Sequence, residues 1–385
     1  MEKKLQFYLK NLIHNKGSDL HLKSGAIIRL RINGDLLKLG NKEICHEELD
    51  GIAQAILSEK QYKELVSNKE LDCTYVLDEN NRFRVNFFYQ LNGLSAVMRI
   101  IPVKILTLDE LALPSIITEL SEMHRGLVLV TGVTGSGKST TLAAMLDHIN
   151  RTKKKHIITV EDPVEFVHKD RESLVSQRGI GQDSHSFSNA LKGALREDPD
   201  IILIGEMRDL ETIEIALHAA NTGHLVFSTL HTLDAKETIN RVIGMFPQEE
   251  QNRIRITLAS VLSGVVSQRL VKTVDGKRAA AIEVMKQTPR ISDLIAKNMD
   301  YEILDTIEEG REIYGSQSFD QALLSLYDEG RIDEETVLEN ATNESDMKLK
   351  LQGIGLSSGD SDKKNDEKDI FDLKEPEESE EEFGS

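Results

Sequence analysis

Residues 127–140, LVLVTGVTGSGKST, constrain this chain more than any other stretch. The apolar run at 127–130 predicts a short strand, Gly132 breaks it, and regular structure resumes at Lys138. Gly132, Gly137, Lys138 and Ser139 satisfy G-x-x-x-x-G-K-[ST], and Gly135 adds another glycine among Val133, Thr134, Ser136 and Thr140. Backbone N–H groups wrap a polyphosphate only where no Cβ blocks the approach, and the helix that follows turns its positive end toward the same phosphates. Lys138 is then placed to reach the β- and γ-phosphates, and Ser139 to reach a Mg²⁺ ion. Leu142, Met145, Leu146 and Ile149 follow at helical spacing, so the loop has the strand before it and the helix after it that this chemistry needs.

A chain of 385 residues is long enough for two domains and a tail. No run approaches the roughly 18 apolar residues of a membrane span, and the N-terminus MEKKLQFYLKN lacks a secretory apolar core, which together lead to the expectation of a cytoplasmic protein. Cys45 and Cys73 have neither metal-site spacing nor partners for a disulfide framework. The net charge of −18 speaks against a nucleic-acid-binding surface. From Ser357 onward there are 12 acidic and 4 basic residues, so the segment 356–385 reads as a disordered acidic tail in which only Ile370, Phe371 and Leu373 could form a docking motif.

Along the chain, Leu5, Leu9, Leu12 and Ile13 mark one face of an opening helix, followed by strands at 17–22 and 27–32 and an Asn33-Gly34 hairpin signal. One helix is expected within 46–66, then three strands at 71–77, 82–90 and 94–100. Residues 1–101 thus read as a small α/β domain with an antiparallel sheet, and 102–114, beginning with Pro102, as a linker. From 115 to 355 apolar strands (127–130, 156–160, 200–205, 224–230) alternate with helices, which predicts a parallel or mixed sheet covered on both faces. The segment 248–271, including VLSGVVSQRL, reads as a long amphipathic helix, and AAIEVM as a strand. Short helices beyond it form a C-terminal helical subdomain with Phe319, Leu323 and Leu326 as core.

Ligands in such folds sit beyond the carboxyl ends of the strands, and polar groups gather there in this sequence. Glu161, Asp162 and Glu165 follow the second apolar strand, Glu206 and Arg208 the third, and Thr229 and His231 the fourth. An acidic residue at a strand end beside a phosphate loop serves the Mg²⁺ shell, and a second carboxylate can orient or deprotonate water. Taken singly, Glu206 reads equally as a helix N-cap and His231 as a packed turn residue. Three such strand ends around one phosphate loop favour the functional reading.

These motifs together resemble the hexameric secretion ATPases of type IV pili, specifically the twitching-motility retraction motors of the PilT/PilU type. GVTGSGKST matches the Walker A loop, TVEDPVEFVH the aspartate box, LREDPDIILIGEMRD the Walker B region and TGHLVFSTLHT the histidine box, with GSDLHL, RFRVN and AVMRI ahead of them. The resemblance implies a PAS-like N-terminal domain joined to a RecA-like P-loop ATPase core, a ring of six, and ATP with Mg²⁺ bound between the domains. It implies that Glu206 is the Walker B acid and a metal contact alongside Ser139. It further implies that Glu165 activates water, with Glu161 as the second choice, that Arg84 and Arg99 match the N-terminal-domain arginines able to act as arginine fingers, and that His224 and His231 match the two histidine-box positions. The implied partners are an inner-membrane platform protein and a paralogous retraction ATPase, with the ring held peripherally at the pilus base and no direct nucleic acid.

Two features cut across the subtype. Residues 290–295, RISDLI, depart from the A-I-R-N-L-I motif of the retraction motors and lean toward the accessory paralogue, whereas GEMRDLET resembles the principal motor. Two cysteines cannot make the tetracysteine zinc site common in assembly relatives, which favours retraction. The alternatives are a pilus-assembly or type II secretion ATPase, an accessory retraction subunit, and a nucleic-acid-translocating motor.

Overall fold

The opening amphipathic pattern forms α1 (Glu2–His14), which buries Leu5, Leu9 and Leu12 completely. In the computed structural model, which describes residues 1–32, 34–79, 81–101 and 104–352, this helix packs on a six-stranded sheet. Its strands are β1 (Asp19–Lys23), β2 (Ala26–Ile32) and β3 (Asp35–Ile44), then β4 (Glu70–Asp78), β5 (Asn81–Gln90) and β6 (Gly93–Ile101). All neighbours run antiparallel in the order β3-β2-β1-β6-β5-β4. The single helix expected within 46–66 is instead two, α2 (His46–Ile56) and α3 (Glu59–Asn68). The break has a local cause: Ser58 and Gln61 form a reciprocal capping box that starts a new helix.

The second sheet begins after α4 (Ser115–Ser121) with β7 (Gly126–Thr131), all six of whose residues are buried. It continues through α5 (Lys138–Thr152), β8 (His156–Glu161), β9 (Leu174–Gly179), α6 (Phe187–Ala194), β10 (Ile201–Ile204), α7 (Leu210–Asn221) and β11 (Leu225–Leu230). After α8 (Ala235–Gly244) and α9 (Gln248–Val261) come β12 (Leu262–Lys272) and β13 (Arg278–Lys286). The order is β13-β12-β7-β11-β10-β8-β9, parallel throughout except for the antiparallel β12–β13 pair. One apolar cluster built on α4 and α5 covers one face, and another built on α6 to α9 covers the other, so the expected mixed, doubly covered sheet is present.

Two strands depart from the sequence reading. The helix expected over 248–271 ends at Val261, and SGVVSQRL is strand β12, wedged between β7 and β13. Adjacent β-branched Val265 and Val266, buried on both faces, favour a central strand over a helix surface. Strand β9 went unrecognised because LVSQRG is an edge strand without a completely buried apolar side chain.

The remainder is helical: α10 (Pro289–Ala296), a 3-10 turn at Asp300–Glu302, α11 (Ile303–Glu309), α12 (Arg311–Tyr314), α13 (Phe319–Asp328) and α14 (Glu334–Asn340). The buried Arg255 of α9 donates to both carboxylate oxygens of Asp300 at 2.7 and 2.9 Å and to the Ile295 carbonyl at 3.1 Å, tying this helical part to the core. The Arg269 guanidinium stacks 3.9 Å over the Phe319 ring. The chain divides into two units after Thr342, the second of which is described as far as Gln352. In the second, Asn343 caps α15 (Glu344–Leu351) through the N–H groups of Ser345 and Asp346. Asn33 of the hairpin signal, Pro102 at the head of the linker and the acidic tail with Ile370, Phe371 and Leu373 lie outside the described residues. Among the described residues no helix is long and apolar enough to cross a membrane.

Candidate nucleotide site

Strand β7 lies inside the sheet between β11 and β12, and the chain leaves its carboxyl end through the glycine loop. Gly132, Gly135 and Gly137 have φ of 139°, 82° and 96°, a region that side chains other than glycine rarely tolerate. A Cβ at Gly132 would also collide with the carbonyl oxygen of Gln268, while nothing lies within 4 Å of one at Gly135. The loop is therefore pinned against β12 at one end and open at its middle.

Gly137 caps α5, so the first N–H groups of that helix face the loop. Lys138 is buried, and its ammonium donates to the carbonyl oxygens of Gly132 at 2.7 Å and Val133 at 3.0 Å. Burial pulls its pKa below the usual lysine range, and the charges of Glu206 and Glu165 act the other way. Both carboxylates thus lie within electrostatic reach of the ammonium.

Glu206 follows β10. One carboxylate oxygen sits 2.8 Å from Nη2 of Arg208 and the other 3.2 Å from Nε2 of His231. Thr229 on the neighbouring strand donates through Oγ1 to the Gly205 carbonyl at 2.6 Å, which fixes the strand ends carrying Glu206 and His231 side by side. The N-cap of α7 is Asp209, whose carboxylate accepts from the N–H and the hydroxyl of Thr212, both at 2.9 Å. Glu206 is thereby free of the capping role that its position in the sequence also allowed.

Glu161 ends β8 and is buried. It accepts from the Thr159 hydroxyl at 2.7 Å, Gln177 Nε2 at 3.3 Å and the Glu165 N–H at 3.2 Å, while desolvation pushes its carboxyl above the usual glutamate range. Glu165 itself is exposed. Glu161 therefore holds the turn on which Glu165 is presented, and Glu165 is the carboxylate left open to solvent.

The loop residues 132–140, Glu161, Glu165, Glu206 and His231 all lie at the carboxyl edge of the sheet. Three expected site residues do not join them in this chain. His224 immediately precedes β11, so about 20 Å of strand separates it from that edge, and its Nδ1 contacts the Ala219 carbonyl at 2.9 Å and the Thr222 hydroxyl at 3.2 Å. Arg84 and Arg99 are cross-strand partners on β5 and β6, and they pair with Asp72 at 3.6 Å and Asp19 at 2.7 Å. Among the described residues neither bonds to the phosphate loop.

Gln268 was missed by the sequence reading. It is buried on β12, donates through Nε2 to Thr141 Oγ1 of α5 at 2.8 Å, and abuts Gly132 with its carbonyl. Beside it the Ser267 hydroxyl accepts from Thr131 at 3.0 Å. Reading VVSQRL as helix hid them; the paired β-branched valines were the available signal. Oε1 of Gln268 and Oγ of Ser136 are buried without partners among the described residues, as fits a site completed by a polar ligand. Those residues contain no cluster of three or more His, Cys, Asp or Glu suited to a metal. A Mg²⁺ ion fits here only as Mg²⁺ usually binds, through one or two protein oxygens plus substrate phosphates, and Ser139 and Glu206 are the oxygens on hand.

A helix start and a buried lysine facing carboxylates from neighbouring parallel strands define a P-loop nucleoside triphosphatase. More narrowly, the model of the Type II/IV secretion system protein family matches residues 1–348, and the chain belongs to that family. It is 47% identical over 324 residues to the type IV pilus retraction ATPase PilT of Pseudomonas aeruginosa, covering 84% of this chain and 94% of the relative. It is 38% identical over 347 residues to the type IV pilus ATPase PilU of the same organism, covering 89% and 90%. A crystal structure of the pilus retraction motor PilT with bound ADP superposes with a TM-score of 0.83 at 41% identity, covering 89% of this chain and 98% of the other.

Proposed function

We infer that this chain is an ATPase that powers retraction of type IV pili and so twitching motility. The observation that carries this is the 47% identity to a retraction ATPase across 84% of this chain and 94% of the relative, over a site where the charges of Glu206 and Glu165 act on the buried Lys138. The nucleotide is ATP. Its phosphates lie in the glycine loop, where their arrival draws the Lys138 ammonium from the Gly132 and Val133 carbonyls to the β- and γ-oxygens. Glu165 orients the attacking water and takes its proton, and Glu161 keeps Glu165 in place through the N–H that it accepts. Ser139 and Glu206 would hold a Mg²⁺ ion together with the phosphates, and that ion would supply neutralisation of charge on the transferred group. His231, whose Nε2 lies 3.2 Å from Glu206 Oε1, senses whether the γ-phosphate is present.

The working unit is a ring of six. Arg84 and Arg99 reach the phosphates only when the N-terminal sheet closes over a nucleotide, exchanging Asp72 and Asp19 for phosphate oxygens. Closure and opening between residues 1–101 and 115–355, hinged on 102–114, turn hydrolysis into movement of an inner-membrane platform protein at the pilus base. The ring is cytoplasmic and peripheral to the inner membrane. An accessory role beside a paralogous motor is favoured by one observation, the RISDLI segment at 290–295, although identity to PilT exceeds that to PilU.

Steady-state ATP hydrolysis by the purified chain tests the site. Lys138→Ala and Glu206→Ala should each lower kcat by about 100-fold or more, the usual effect of removing a preorganised charge or donor. Undiminished turnover in either variant would remove this mechanism.

A further inference from the structure

A cavity of about 350 Å³ lies between the segment 104–110 and the C-terminal half of α5. Its walls include four cations, Lys104, Arg151, Lys169 and Arg171, and two carboxylates, Glu110 and Asp147. Asp147 and Arg151 follow Lys138 by nine and thirteen helical residues, about 14 and 20 Å along the axis, so this space is separate from the phosphate loop.

We propose that this cavity is a second ligand site, which takes a small phosphate-bearing anion. Both carboxylates are already engaged. Asp147 pairs with Arg151 at 2.7 Å and Arg171 at 3.7 Å, and Glu110 pairs with Lys104 at 3.4 Å while accepting the Thr107 N–H at 2.9 Å. Four cations against two anions leave an excess of positive charge, and Lys169 has no ion pair among the described residues. Such an excess stands out in a chain of net charge −18, where like charges converge in a concavity only at electrostatic cost.

The backbone of the loop that carries two of these cations, Lys169 and Arg171, is held in place. Asn150 is completely buried and clamps their loop: its Nδ2 donates to the Lys169 carbonyl at 2.7 Å, and its Oδ1 accepts the Arg171 N–H at 3.2 Å. Its own carbonyl accepts the N–H groups of Glu172 at 2.9 Å and Ser173 at 3.3 Å. A guanidinium presented from a fixed loop, as that of Arg171 is, recognises phosphate oxygens in pairs, and the volume falls within the roughly 300–1,000 Å³ of small-molecule sites. A bound phosphate ester would touch Lys104 on one wall and Lys169 and Arg171 on the other, bridging the connecting segment to the ATPase core.

The test is calorimetric titration of inorganic pyrophosphate, in metal-free buffer, into the full chain carrying Lys138→Ala, which cripples the phosphate loop. Saturable one-to-one binding is expected, with affinity falling by about tenfold or more when Lys169→Ala is added and further with Arg171→Ala. Lys169 is exposed, so its variant should keep the parent's thermal midpoint, which controls for misfolding. Absence of saturable binding, or the same affinity with Lys169→Ala, would overturn the proposal.

Discussion

At the scale of single residues, the two aspartate-box glutamates separate by environment. Glu161 is buried and accepts three hydrogen bonds, whereas Glu165 is exposed and acts on the Lys138 charge. Glu165→Gln should therefore cut kcat by about 100- to 10,000-fold, the range for a general base, with KM for ATP nearly unchanged. Glu161→Gln keeps an acceptor for the Glu165 N–H and should cost less; equal or larger loss in that variant would reverse the assignment. Gln268 makes a different prediction. Removing its bond to Thr141 loosens α5 behind the phosphate loop, so Gln268→Ala should destabilise the chain by about 1–3 kcal/mol, measured by denaturant unfolding, and raise KM for ATP.

At the scale of elements, what the sequence disclosed depended on how local the cause was. The glycine loop, its flanking β7 and α5, and the strand ends bearing Glu161, Glu206 and His231 were legible, because glycine spacing and apolar runs are local signals. The single helix drawn through 46–66 failed on one capping box, and β12 was hidden because its neighbours, β7 and β13, come from distant parts of the chain. With β12 went Gln268 and Ser267. The placements of His224 and of the two arginines depended on topology, which no motif reports.

Strand β13 carries a testable pH effect of its own. Burial lifts the Glu283 carboxyl to about 7, although it accepts the N–H of Ala235 at the start of α8 at 2.8 Å. A carboxyl raised in the folded state stabilises the fold at low pH and loses that contribution as pH rises through the folded value. The thermal midpoint should therefore fall as pH climbs from 4.5 to about 7 and level off above that, and Glu283→Gln should flatten that slope. An unchanged slope in the variant would assign the dependence elsewhere.

For the whole molecule, the described part of the chain combines an antiparallel sheet that presents arginines with a mostly parallel sheet that presents a phosphate loop, and the proposed work cycle brings the two together over ATP. Arg99→Ala should then lower hydrolysis while leaving nucleotide binding nearly intact, measured by fluorescent-ADP titration beside turnover. Loss of binding in step with turnover would argue against a role in closure. The most direct measurement is made in the cell: filament number and twitching on surfaces in a strain deleted for this gene, complemented by the wild-type chain or by Lys138→Ala. Surplus filaments with lost twitching, restored by the wild type and not by the variant, are the expected result. Loss of filaments on deletion, or full rescue by Lys138→Ala, would contradict a retraction motor driven by this site.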